Sequence, residues 1–174
     1  MNPSLPDATE PTGFAALDAI SFDVDGVLTD GGITYTDDGR ELKTFNVQDG
    51  AAFKMLMRAG VQVALITGRN SPVVSRRADE LGIRYLYQGK ENKVAAFQDF
   101  LLRTGVTPAR SAHVGDDLAD LELFEHCGLG IAVPNGHPQI LKAAGYVTRQ
   151  AGGQGVVREL CELLLRARGV WPWP

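Results

Sequence analysis

Two aspartates near the start of the chain, Asp23 and Asp25, are the residues best suited to do chemistry. They follow the apolar run 19–22, which predicts a short buried strand, and they precede Gly26, where the chain can turn. Two neighbouring carboxylates are costly to bury unless a cation or an acid–base reaction uses them. A simple Asp-Gly turn is the alternative explanation. The spacing favours one carboxylate that attacks a substrate and a second that serves the leaving group.

Polar residues that could bind a phosphate or a cation also follow the other predicted strands. These residues are Thr67, Gly68, Lys93, Asp116, Asp117 and Asp120. Each has an ordinary explanation as a turn, a helix cap or a solvated side chain. In an open parallel sheet, however, ligands bind outside the carboxyl ends of the strands, where residues from separate strands meet. Their coincidence at one sheet edge predicts a common site.

The elements that must position these residues alternate along the chain. Strands are predicted over 19–22, 61–66, 85–87, 111–114, 129–133 and 146–148. Helices are predicted over about 49–59, 72–81, 94–104, 118–126 and 156–164, with Leu102 on the apolar face of the third. Alternation of this kind predicts an α/β fold, a Rossmann-like parallel sheet sandwiched by helices.

A β-hairpin interrupts this alternation after the first strand. The β-prone runs 33–36 and 41–47 flank an Asp-Gly turn at Gly39. The insertion is too short to be a lid domain and is interpreted as a flap without a cap. We interpret its segment 41–43 as an ordinary solvated face.

Composition limits the partners of the chain. Its 174 residues are 44% hydrophobic and 22% charged, which is typical of one soluble globular domain. A net charge of −4 argues against nucleic acid or an anionic membrane as a partner. The start of the chain lacks a signal-peptide pattern, and no apolar run has transmembrane length. We therefore expect a cytoplasmic protein with a flexible N-terminal arm over 1–12 and one domain over 13–170.

The predicted site suits phosphoryl transfer. Asp23 and Asp116 could supply carboxylate ligands to a divalent cation, which offsets the repulsion between an anionic nucleophile and a phosphate. Thr67 and Lys93 could hold the oxygens of the transferring group. A carboxylate nucleophile forms an acyl-phosphate, which divides a difficult hydrolysis into two easier steps. The three histidines are scattered and are interpreted as structural.

Four segments together resemble the motifs of the haloacid dehalogenase (HAD) superfamily phosphatases: 23–30, 66–69, Lys93 and 115–120. The resemblance implies that Asp23 is the nucleophile. It also implies that Asp25 is the general acid/base, whose main-chain carbonyl binds Mg²⁺ as well. The further implied contacts are Thr67, Gly68 and Lys93 for phosphate, Asp116 for Mg²⁺, and Asp117 and Asp120 in support.

The segments 45–50, 86–89, 146–149 and 152–155 resemble one subfamily, the 3-deoxy-D-manno-octulosonate 8-phosphate phosphatases, which supply the sugar acid of bacterial lipopolysaccharide. The resemblance implies a capless homotetramer, in which a neighbouring subunit helps to cover the site, and a sugar-acid phosphate as substrate. The implied substrate contacts are Asn46, Val47, Gln48, Asp49, Gly50, Lys54, Arg69, Arg77 and Lys93. The turn at 152–155 is interpreted as lying near the site or the subunit contact.

Other functions remain open at this stage. Within the phosphatases, a nonulosonate 9-phosphate is an alternative substrate. A receiver-type signalling domain also uses an aspartate, a threonine, a lysine and an acidic pair. Receivers place the acidic pair first and the phospho-acceptor in mid-chain, whereas the nucleophile candidate comes first here. A catalytically inactive binding module is a third possibility, against which the intact Asp23 and Asp25 argue.

Overall fold

A computed structural model describes residues 13–90 and 92–173 of the chain. Its main sheet contains six parallel strands: β1 (Ala19–Phe22), β4 (Gln62–Ile66), β5 (Tyr85–Tyr87), β6 (Ser111–Gly115), β7 (Leu129–Ala132) and β8 (Tyr146–Val147). The short strands β2 (Thr34–Tyr35) and β3 (Glu41–Leu42) form a separate antiparallel hairpin. The predicted α/β fold with a hairpin flap is therefore confirmed. The predicted arm over 1–12 lies outside the described residues.

Helices connect the strands: α1 (Val47–Arg58), α2 (Pro72–Leu81), α3 (Lys93–Thr104), α4 (Leu121–Phe124), α5 (Pro138–Ala143) and α6 (Val156–Ala167). Helix α1 begins before residue 49 because the Asn46 side chain accepts hydrogen bonds from the Gln48 and Asp49 N–H groups. The predicted helix over 118–126 is a short 3₁₀ turn, Leu118–Asp120, followed by α4. Helix α5 was not predicted. No described helix is long and apolar enough to span a membrane.

Both faces of the sheet are buried, and β1 contributes to the core on each face because successive residues of a strand point to opposite sides. Ile20 and Phe22 of β1 belong to the core that includes side chains of α1, α2 and α6. Ala19 of the same strand belongs to the core that includes side chains of α3 and α4. Leu102 was expected on the apolar face of α3, but it is 82% exposed. That prediction was wrong, since the buried stripe of α3 consists of Ala96, Phe97, Phe100 and Leu101.

The topology brings the predicted site residues to one edge. Across the sheet the strand order is β5-β4-β1-β6-β7-β8, so β1 has β4 on one side and β6 on the other. Phe22 is level with Leu65 of β4 and with Val114 of β6. The segments that follow these three strands therefore emerge side by side at the point where the strand order reverses, which is where open α/β sheets bind ligands.

Candidate active site

Lys93 connects two buried aspartates at this edge. Its Nζ atom lies 3.0 Å from Asp23 Oδ2 and 2.7 Å from Asp120 Oδ1. Lys93 is the first residue of α3, and the Asn92 side chain caps that helix by accepting from Ala95 N–H at 3.0 Å. Burial favours a lower pKa for Lys93, but the charges of Asp23 and Asp120 outweigh it and raise the pKa. A fixed ammonium group therefore lies beside the candidate nucleophile.

Asp120 contacts both Lys93 and the loop that follows β6. Its Oδ1 also accepts from His113 Nε2 at 3.1 Å, and its Oδ2 accepts from the backbone N–H groups of Asp116 and Asp117 at 3.2 and 3.4 Å. Although burial opposes ionisation, the hydrogen bonds and charges of His113 and Lys93 hold the pKa of Asp120 below its ordinary value. An ionised Asp120 thus fixes Lys93 and the loop that carries Asp116. His113 is structural, as predicted, and its Nδ1 faces the Ser21 hydroxyl at 2.8 Å.

The charge of Lys93 does not offset the burial of Asp23 and Asp116 and the repulsion from neighbouring carboxylates, so both pKa values are raised. Burial, with the charge of Asp120, raises the pKa of Asp23 to about 7. Burial, with the charges of Asp120 and Asp117, raises the pKa of Asp116 to about 6. Carboxylate oxygens of Asp23, Asp116 and Asp120 lie within 4.8 Å of one another. The donor set fits Mg²⁺, which prefers oxygen ligands. The Asp120 oxygens already accept from Lys93, His113 and two backbone N–H groups. Asp23 and Asp116 therefore stay the predicted carboxylate ligands.

The turn after Asp25 lies directly against Asp116. Gly26 has φ +90°, and a Cβ atom there would lie 1.9 Å from Asp116 Oδ2. Asn135 holds this turn in place, since its Nδ2 donates to Gly26 O at 2.9 Å and its Oδ1 accepts from Gly152 N–H at 2.7 Å. Of the two placements predicted for the turn 152–155, these contacts support the one near the site, and a subunit contact stays a prediction. Asn135 was missed by the sequence reasoning, because a lone asparagine in a turn carries no distinctive signal.

Thr67 and Gly68 follow β4 beside Asp23. Thr67 is buried, its N–H donates to Tyr87 O at 2.9 Å, and its Oγ1 accepts from Arg69 N–H at 3.3 Å. Gly68 has open space, since an added Cβ would meet nothing closer than Lys90 O at 3.9 Å. This turn can therefore present the Thr67 hydroxyl and the Gly68 N–H to an anion. The phosphate contacts of both residues stay predictions.

The hairpin contributes charged side chains that the sequence reasoning assigned to solvent. Lys43 forms an ion pair with Asp25, and Arg69 Nε lies 3.7 Å from the other Asp25 oxygen. Glu41 accepts from Arg69 Nη2 at 2.6 Å. The interpretation of 41–43 as a solvated face was therefore wrong for Glu41 and Lys43, and right only for Leu42. Because successive residues of a strand point to opposite faces, the sequence could have predicted that Glu41 and Lys43 share a face opposite to Leu42.

Several predicted sugar contacts have other neighbours within the chain. Asp49 is buried and accepts from Arg158 N–H at 2.9 Å, so it caps the N-terminus of α6. Arg77 lies over the Phe45 ring at 5.8 Å from its centroid. Lys54 is exposed on α1, as are Val47 and Gln48 at its start. Of the predicted substrate contacts, Arg69 and Lys93 are the two that contact aspartates of the site among the described residues: Arg69 contacts Asp25, and Lys93 contacts Asp23 and Asp120. The remaining sugar contacts stay predictions.

Comparison with known proteins agrees with this geometry. A family model described as haloacid dehalogenase-like hydrolase matches residues 85–160. The chain is 49% identical to the 3-deoxy-D-manno-octulosonate 8-phosphate phosphatase KdsC of Escherichia coli (strain K12) over 147 residues, which covers 84% of this chain and 78% of the relative.

Two solved structures extend the comparison. The 3-deoxy-D-manno-octulosonate 8-phosphate phosphatase of Yersinia pestis has a TM-score of 0.90 at 41% identity, covering 92% of this chain and 87% of that chain. The corresponding enzyme of Moraxella catarrhalis, in complex with magnesium ion, phosphate ion and a KDO molecule, has a TM-score of 0.87 at 42% identity, covering 90% of each chain. The chain belongs to the family of 3-deoxy-D-manno-octulosonate 8-phosphate phosphatases among the haloacid dehalogenase-like hydrolases.

Proposed function

We propose that this chain is an Mg²⁺-dependent phosphatase that hydrolyses 3-deoxy-D-manno-octulosonate 8-phosphate to the free sugar acid and phosphate, a step that supplies lipopolysaccharide synthesis. The observation that carries the proposal is the cluster in which Lys93 bridges Asp23 and Asp120 while Asp116 lies beside them. The family membership supports the substrate, since the relatives named above are phosphatases of this sugar phosphate.

In the first half of the reaction, a carboxylate oxygen of Asp23 attacks the phosphorus atom. The bond between phosphorus and the sugar oxygen breaks, and that oxygen takes a proton from the Asp25 carboxyl group. Lys93 and the Thr67 turn hold the equatorial oxygens of the transferring group. The residues that would hold Mg²⁺ are Asp23, Asp116 and the Asp25 carbonyl, and the bound ion offsets the charge repulsion between nucleophile and phosphate.

In the second half, a water molecule attacks the phosphorus atom of the acyl-phosphate. Asp25, now a carboxylate, takes a proton from that water, and the bond between phosphorus and Asp23 breaks. Phosphate leaves, and both aspartates return to their starting states. The partial burial of Asp25 beneath Lys43 and Arg69 limits the access of other water molecules to the site.

We also propose that the enzyme is a homotetramer. The support is a set of exposed apolar side chains on the hairpin and at the start of α1: Ile33, Tyr35, Leu42 and Val47. Exposed large apolar side chains on a flap beside the site favour contact with a second copy of the chain. Light scattering at micromolar concentration should give four times the monomer mass, and a fully active monomer would contradict the proposal. The cytoplasmic location stays a prediction.

A panel of phosphate esters tests the substrate. Initial rates of phosphate release should be measured with the eight-carbon sugar acid 8-phosphate, a nonulosonate 9-phosphate and p-nitrophenyl phosphate, each with Mg²⁺ and with chelator. We expect the highest kcat/KM for the eight-carbon ester and no turnover with chelator. A higher kcat/KM for the nine-carbon ester would mean that the substrate is a nonulosonate 9-phosphate and not the eight-carbon sugar acid 8-phosphate. A single stoichiometric phosphorylation without turnover would indicate a receiver domain instead.

A further inference from the structure

The inner face of the β2–β3 hairpin carries two charged side chains that the proposed reaction leaves without a role. Because successive residues of a strand point to opposite sides, Glu41 and Lys43 point inward while Leu42 points outward. The Lys43 side chain is only 1% exposed. Lysine is almost never fully buried unless it is paired. This burial needs a specific explanation.

Both side chains belong to a closed ring of charges around Asp25. Lys43 Nζ pairs with Asp25 Oδ1 and lies 3.4 Å from Glu41 Oε1. Arg69 closes the ring, with Nη2 at 2.6 Å from Glu41 Oε1 and Nε at 3.7 Å from Asp25 Oδ2. Ser71 Oγ donates to the second Glu41 oxygen at 2.5 Å. Two cations thus balance two anions, and each side chain restrains its neighbours.

We infer that Lys43 is a positioning residue for the Asp25 carboxyl group, an inference that rests on the proposed function of Asp25 as general acid/base. Lys43 holds Oδ1, whereas Oδ2 has only the longer contact with Arg69. Oδ2 is therefore the oxygen left to exchange a proton with the sugar oxygen. Without Lys43 the Asp25 side chain can change its χ1 rotamer and its carboxyl group can turn about the broad χ2 torsion, and a misplacement of about 1 Å costs about 100-fold in rate.

Glu41 acts on the same group through both cations. It pairs with both Lys43 and Arg69 and so restrains the two cations that contact Asp25. The hairpin is the element that brings Glu41 and Lys43 to a loop that follows β1. The acid/base group is thus oriented by the flap, and not only by the turn on which it resides.

The leaving group provides the test. An alkyl oxygen, as in the sugar phosphate, needs a proton in order to leave, whereas p-nitrophenolate leaves without one. In single turnover, Lys43→Met should slow release of the sugar by about 10- to 100-fold, with KM unchanged, and leave release of p-nitrophenolate nearly unchanged. Hydrolysis of the acyl-phosphate, in which Asp25 acts as base with either ester, should be slowed equally for both. Lys43→Arg should recover part of the loss. Arg40→Met is the matched control, since Arg40 belongs to the same hairpin but pairs with Asp38 at the surface, and it should behave as wild type.

Each other outcome overturns the inference. Equal slowing of leaving-group release from both esters in single turnover would mean that Lys43 maintains structure or binds phosphate. A raised KM for the sugar phosphate with an unchanged kcat would mean that Lys43 binds the substrate directly. Unchanged kinetics would mean that the ion pair has no role. If wild-type protein released no phosphate from any ester, the proposed function itself would fail, which is distinct from all three outcomes.

Discussion

Replacing Gly26 by alanine would show how closely the catalytic turn and the candidate metal ligand fit together. The new methyl carbon would lie 1.9 Å from Asp116 Oδ2. Carbon and oxygen atoms approach to about 3.3 Å, so the carboxylate must move by about 1.4 Å. Metal–ligand distances tolerate only about 0.2 Å. Asp116 would therefore cease to be a ligand in its present position.

The substitution has a backbone cost as well, which a control can remove. Gly26 has φ +90°, where a residue with a Cβ atom is strained by about 1–2 kcal/mol. Gly60 has φ +84°, and nothing lies within 4 Å of its Cβ position. Gly60→Ala should show the backbone cost alone in urea unfolding, and Gly26→Ala should lose at least as much stability because it adds the clash with Asp116. Only Gly26→Ala should lose Mg²⁺ affinity, by about 10- to 100-fold or more.

Calorimetric titration of Mg²⁺ into both variants and the wild type supplies the assay, with phosphatase activity at saturating Mg²⁺ as the second measurement. Wild-type Mg²⁺ affinity in a folded Gly26→Ala protein would refute the reasoning, because the ion would then not depend on the position of Asp116. A loss of affinity in Gly60→Ala as large as in Gly26→Ala would refute it too, since strain alone would account for the effect.

Further predictions concern charge, packing and substrate. Because the pKa values of Asp116 and Asp23 are raised to about 6 and about 7, these groups hold protons below those values, and Mg²⁺ must displace them. Mg²⁺ affinity should therefore rise as pH increases through this range and level off above it; a pH-independent affinity would contradict the assignment. His113→Phe should remove a donor to buried Asp120 and lower the free energy of unfolding by about 1.5–3 kcal/mol in urea titration, and an unchanged midpoint would count against that bond. Arg77→Ala should lower kcat/KM about 10- to 150-fold for the sugar-acid phosphate and little for p-nitrophenyl phosphate, with exposed Arg76→Ala as the control. Equal losses on both substrates would place Arg77 in packing with Phe45 instead.

The sheet and the centre of the site could be predicted because their signals are local. Apolar runs with turn residues after them gave the strands, and the end of each strand in a parallel sheet must lie at the same edge. Asp23, Lys93 and Asp116 were predicted on this argument, and the structure joins them through Asp120. What mattered was the type of residue at each strand end, which the sequence displays directly.

The remaining features depend on contacts that the sequence does not display. Glu41 and Lys43 looked solvated because a charged hairpin strand usually is, and only the tertiary position of the hairpin brings Lys43 to Asp25. Asp49 was assigned to substrate, yet the packing of α1 against α6 lets it cap the latter helix. Leu102 fitted a helical stripe by spacing, but the side of α3 that meets the sheet is decided by Phe97 and Phe100.

The formation of a covalent acyl-phosphate on Asp23 during turnover can be measured directly. Wild-type enzyme with Mg²⁺ should be mixed with sugar-acid phosphate carrying labelled phosphorus, quenched in acid within one turnover and digested. Label should appear on the peptide that contains Asp23, and Asp23→Asn should show neither label nor steady-state phosphate release, because an amide is not a competent nucleophile. Label on another peptide, or near wild-type turnover by Asp23→Asn, would contradict the role of Asp23 as nucleophile.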